Sequence, residues 1–116
     1  MTTTALRTTI PAGQALSEPI ATFGYAVCLI LLPAAWTDAP LTLQGSLDEG
    51  DPAAWADLYD HLGNEVVLSV AAGRALTLPP TLLLGWRWLR LRSGLAAAPV
   101  NQAADRILTL GVRPFA

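Results

Sequence analysis

One histidine, His61, and one cysteine, Cys28, limit the chemistry this chain could carry. A lone imidazole removes zinc sites of the usual Cys/His kind and leaves one candidate base for a nucleophilic triad. Ser46, His61 and Asp60 could be written as such a triad, but adjacent Asp60 and His61 would project to opposite sides of a strand. Cys28 stands in an apolar run, has no partner for an internal disulfide, and reads as a small buried hydrophobe. The acidic turn Asp48-Glu49-Gly50-Asp51-Pro52 is rich in oxygen ligands, yet its spacing matches no EF-hand loop, so we read a solvated turn. There is no phosphate-cradling glycine loop and no dinucleotide fingerprint. We expect no catalytic residues, no cofactor and no metal: a chain that is not an enzyme.

The densest aromatic and cationic stretch is 86–94, Trp-Arg-Trp-Leu-Arg-Leu-Arg-Ser-Gly. Its strict alternation reads as a strand with Arg87, Leu89 and Leu91 on one face and Trp86, Trp88, Arg90 and Arg92 on the other. Leu89 and Leu91 belong inside, so an inward Arg87 would need a carboxylate partner. The opposite face sets guanidinium planes beside indole rings, either as a binding ladder or as cross-strand cation–π packing. Trp36, in a loop rich in proline and alanine, either caps the core or is presented for contact. Trp36, Trp86, Trp88, Arg90 and Arg92 are therefore the candidate interface or ligand-contact residues.

These residues must be positioned by strands. Residues 2–10 alternate as an edge strand or arm, followed by a turn at Pro11-Ala12-Gly13. Residues 25–32 are apolar on both faces between Gly24 and Pro33, which suits a buried strand with Tyr25, Val27, Leu29 and Leu31 on one side. Residues 41–47 alternate Leu41, Leu43, Gly45 and Leu47 against Thr42, Gln44 and Ser46. The following segment conflicts with itself. Asp51 as N-cap, Pro52 at the first helical position, and Trp55, Leu58, Tyr59 and Leu62 at helical spacing spell an amphipathic helix. Turn chemistry at residues 60–64 could instead close a hairpin. Residues 75–78 and 106–112 complete the strands, the last with Leu108, Leu110 and Val112 inward, and residues 95–105 read as a long loop. Many short strands separated by turns imply a sandwich, jelly roll or barrel.

Of the 116 residues, 53% are apolar and only 14% charged, against roughly 25% in an ordinary soluble domain. That is little charge to cover a free monomer, so some surface should be buried in an assembly. A net charge of -2 argues against nucleic acid as partner. The central apolar run is far short of the ~20 residues of a spanning helix, and no signal peptide is evident at the N-terminus, so no membrane partner is expected.

Residues 41–46, the acidic turn, Trp55 and Leu58, and then Arg87-Trp-Leu-Arg-Leu91 follow an order that resembles discoidin-type (coagulation factor 5/8 C-terminal) jelly rolls. Pro33-Ala-Ala-Trp36, Trp55-Ala-Asp-Leu-Tyr-Asp60, Gly63-Asn-Glu-Val66, Leu89-Arg-Leu-Arg-Ser-Gly94 and Pro99-Val-Asn-Gln-Ala-Ala-Asp-Arg106 more closely resemble small structural proteins of tailed phages and prophages. The likeness spans Leu16 to Pro114. It implies that Trp55 to Tyr59 is a strand, although an expanded acidic turn leaves room for a short helical turn from Pro52 to Ala56.

The expectation is therefore an all-β chain, a single antiparallel β-sandwich of galactose-binding, jelly-roll type over residues 1–116. Its expected role is as an accessory structural protein of a tailed-phage or phage-like particle, at a capsid-decoration or head-spike-base position. It would be assembled in the host cytoplasm, reside on the virion, contact other capsid or tail proteins, and form a homo-oligomer, a trimer being favoured. The alternative is a tail or baseplate carbohydrate-binding module reading host surface glycans through Trp36 and its neighbours.

Overall fold

The structure, a computed structural model, describes residues 2–114. Alternating apolar and polar residues build β1 (Thr4–Ile10), β4 (Leu41–Ser46), β7 (Trp88–Leu95) and β9 (Arg106–Pro114), joined by β2 (Ile20–Ala21), β3 (Tyr25–Leu31), β5 (Ala56–Asp57), β6 (Ala75–Thr77) and β8 (Ala98–Pro99). They form two antiparallel sheets, ordered β1-β9-β3-β6 and β2-β7-β4-β5, with β8 paired to the end of β7. The chain repeatedly crosses from one sheet to the other, as in a jelly roll. β1 is an edge strand, bonded only to β9.

The core lies between the sheets. Leu41, Leu43, Leu89 and Leu91 from one sheet meet Ile10, Val27, Ile30, Leu108, Leu110 and Val112 from the other, all essentially inaccessible. Their two-residue spacing in β4, β7 and β9 is the pleat expressed as burial. β3 departs from the expected alternation. Its register against β9 shifts between Val27 and Leu29, so Cys28 is the extra residue of a bulge. The bulge lets Val27 and Ile30 both face inward and leaves Cys28 half-buried instead of enclosed. Leu29 turns over Gly111, where a Cβ would lie 2.5 Å from its Cγ.

No helix occurs among the described residues, so neither the amphipathic helix of residues 51–62 nor a helical turn from Pro52 to Ala56 forms. The segment pairs with β4 instead: Ala56 and Asp57 lie opposite Gly45 and Gln44, and the Leu58 amide donates to the Leu43 carbonyl. A hairpin then closes at residues 60–64, where Asp60 Oδ1 accepts the amides of Leu62 and Asn64 and Gly63 takes a φ of 85°. Tertiary pairing overrides helix-like spacing, because here an adjacent strand offers the backbone its partners.

Candidate functional site

β7 begins at Trp88, two residues later than the aromatic–cationic stretch. Gly85, with φ 102°, and the irregular backbone after it take Trp86 and Arg87 out of the alternation. Trp86 consequently packs on the core side, its ring lying where a Cβ on Gly45 would sit. Arg87 does not point inward with Leu89. Its guanidinium stacks 4.5 Å from the Phe23 ring centroid and reaches Glu49 at 3.9 Å, with a third of the side chain in solvent. Leu47, expected inward, is 63% exposed because β4 ends one residue before it.

From Trp88 onward the ladder is regular. Trp88, Arg90 and Arg92 lie opposite Ser46, Gln44 and Thr42 on the outer face of β4 and β7. Trp88 leans toward the acidic turn, its Nε1 donating to the Asp48 carbonyl at 3.0 Å. Arg90 Nε donates to Gln44 Oε1 at 2.7 Å, and its guanidinium lies 4.2 Å from the Trp55 ring centroid. Arg92 is buried and has three acceptors: Thr42 Oγ1 at 2.9 Å from Nε, Asp57 Oδ1 at 2.7 Å from Nη1, and Glu65 Oε2 at 3.2 Å from Nη2. Two carboxylates and a hydroxyl offset the cost of removing that charge from water.

The partners are themselves tied down. Gln44 Nε2 donates to Asp57 Oδ1, Thr42 Oγ1 donates to the Gly94 carbonyl, and Glu65 Oε2 also accepts the Ala96 amide. The Arg92 hydrogen bond, followed by that of Gln44, holds the Asp57 carboxyl below its ordinary value. The Arg90 guanidinium is held below its ordinary value, first by burial and then by repulsion from Arg92, with Asp57 working against both. No acceptor among the described residues takes the Arg90 Nη atoms. They face outward beside Trp55, where they could meet an anionic or oxygen-rich group.

The five candidates thus do not form one site. Arg90 and Arg92 come together with Thr42, Gln44, Trp55, Asp57 and Glu65, and Trp88 flanks them. Trp86 lies on the opposite face of the sheet. Trp36 is half-buried in its own loop, against the core, with Nε1 donating to the Ala39 carbonyl at 3.1 Å. In the sequence Trp55 stood in the helix pattern and in the motifs that carry the resemblances, and Glu65 only within Gly63-Asn-Glu-Val66; neither was singled out as a contact residue.

His61 is exposed in the hairpin turn, where Asp60 already serves the backbone; Ser46 Oγ is buried and accepts the Asp48 amide. Among the described residues no group of three or more His, Cys, Asp or Glu could hold a metal ion. They include no helix long and apolar enough to cross a membrane.

A second feature lies where β4 ends and β7 begins. The loops there expose Phe23, 65% accessible, and Leu47 around a depression of about 390 Å³ lined also by Gly24, Gly85, Trp86 and Arg87. A neighbouring depression shares Trp86 and is lined by Tyr59, His61 and Leu82. No family model matches the chain, and neither a curated protein nor a solved structure matches it.

Proposed function

We propose that this chain is an accessory structural protein of a tailed-phage or phage-like particle, at a capsid-decoration or head-spike-base position, acting by adhesion to other virion proteins. The loop end carries this reading: Phe23 and Leu47 stand about two-thirds exposed beside the Trp86 depression, in a chain with little surface charge. Exposed apolar clusters of this kind are characteristic of contact surfaces, and interfaces are enriched in aromatic residues and arginine. Arg87, held on Phe23, supplies the polar rim. No role in catalysis is proposed.

The resemblance of the sequence motifs to those of small phage structural proteins supports the particle context. The glycan alternative draws less support. Sugar stacking needs a flat exposed indole, whereas Trp36 and Trp86 both lean on the core and one face of Trp55 is taken by Arg90.

The test is sedimentation of the purified protein with particles that lack it. Uptake is expected for the wild type and is expected to be lost in the Phe23→Ser, Leu47→Ser double variant, whose exposed positions leave folding intact. Wild-type protein that stays in the supernatant would overturn the reading.

A further inference from the structure

Most sheet edges in this fold are short: β2 and β5 have two residues each and β6 has three. β1 is different. It runs for seven residues at the edge of its sheet, with no proline, no bulge and a single charge, Arg7. Edges of that length are normally blunted, because unpaired main-chain groups template the addition of another strand.

The open groups can be assigned. The Thr9 carbonyl accepts the Glu18 amide at 3.0 Å, and Thr8 Oγ1 donates to the Glu18 carbonyl at 2.7 Å. Thr9 therefore turns its main-chain groups away from β9. In an unbroken antiparallel ladder every second residue does the same, so those of Ala5 and Arg7 also point outward. Nothing among the described residues bonds them. Glu18 closes the edge at Thr9, and it is open from Arg7 toward the N-terminus.

We propose that β1 is a self-pairing edge, to which a second copy of this chain adds its own β1 in antiparallel register with Ala5 opposite Ala5. This register pairs residues 3–7 of the two copies, the stretch that Glu18 leaves open. It sets the smallest side chain of the strand on the two-fold axis and Arg7 opposite Thr3. Centring on Arg7 would oppose two guanidinium groups, which is destabilising across a strand pair. Centring on Leu6 would drive Thr3 of the second copy into the place Glu18 holds. The contact joins two four-stranded sheets into one continuous sheet and is isologous. Alone it gives a dimer, or an assembly of dimers, in place of the trimer favoured from the sequence. It stands on β1 and does not depend on the virion reading.

The test is the light-scattering mass of the full chain across a micromolar concentration series, without particles, so failure of the virion reading leaves it untouched. The wild type should rise toward twice the 12.2 kDa chain mass. Ala5→Lys and Ala5→Glu should each weaken pairing severalfold, by setting like charges face to face, and an equimolar mixture of the two should restore it. That rescue also shows that both variants are folded. Arg7→Pro removes an outward amide and no bond to β9, and should be monomeric with the melting temperature of the monomer unchanged. Three results overturn the proposal: a wild type monomeric throughout; lysine and glutamate variants that both still dimerise, which places the contact elsewhere; or a glutamate variant that tightens while the lysine variant loosens, which moves the register.

Discussion

The Trp86 indole lies where a side chain on Gly45 would have to be: a Cβ built there meets ring atoms Cδ2 and Cε3 at 2.5 Å. Gly45 follows Leu41 and Leu43 in the inward series of β4, and the missing side chain lets the ring close the core at the loop end. A methyl at this position must displace a ring held by its surroundings. Gly45→Ala should destabilise the fold by about 1–3 kcal/mol, the usual cost of overpacking. In urea titrations the cost should largely vanish in a Trp86→Leu background. A persisting cost would place its cause in the backbone.

Arg92 is the most consequential charge in the structure. Nε and both Nη groups serve three separate acceptors, a division that the point charge of lysine cannot reproduce. Arg92→Met leaves Asp57 and Glu65 facing each other without the cation. Asp57 keeps about a third of its side chain in water, so the loss should be about 2–3 kcal/mol, below the cost of breaking a fully buried pair. Adding Asp57→Asn and Glu65→Gln should recover part of it. Thermal melts of the single and triple variants measure the difference.

Strand content was largely legible because β4, β7 and β9 each turn their apolar residues to one face, against the core, and that imprints a period of two on the sequence. The period failed where the backbone left the ladder. At Cys28 a bulge reversed the later half of β3, and at Gly85 the chain turned so that Trp86 went inward and Arg87 outward. Residues 52–62 carried a complete set of helix signals, yet their amides found β4, a partner that local spacing does not encode. The polar cluster was half legible for a similar reason. Arg90 and Arg92 stood out by composition, whereas Asp57 and Glu65 reach Arg92 from 35 and 27 positions away.

Acid should act partly through Asp57. Its carboxyl titrates below the ordinary value of 3.8 because Arg92 and Gln44 hydrogen-bond the charged form. A folded-state value under the unfolded one gives stability that is complete above the unfolded pKa and is lost as pH falls through the folded one. Asp48 shifts the same way, chiefly through the amides of Ala54 and Ala53. Stability should fall below about pH 4. Asp57→Asn should flatten that fall, as read from chemical denaturation midpoints between neutral pH and pH 3; an unchanged slope would place the acid sensitivity elsewhere.

The expected long loop of residues 95–105 is interrupted by β8, which pairs back on β7, and Gln102, almost wholly buried, tests whether the stretch between β8 and β9 is held by polar bonds. Its Oε1 accepts the Thr37 amide at 2.8 Å and Arg106 Nε at 3.1 Å, while Nε2 donates to the Thr37 carbonyl and Ser93 Oγ. One amide side chain therefore ties the Trp36 loop to β7 and β9. Gln102→Ala removes it and strands buried partners, for about 2–3 kcal/mol. Gln102→Glu keeps the size and the acceptors but loses the donors, so at neutral pH it should also be destabilised, with the Thr37 carbonyl and Ser93 left unserved. Amide exchange should rise around Thr37 in both variants while Ile30 in the core stays protected; uniform exchange instead would mean that the loop and the sandwich unfold as one unit.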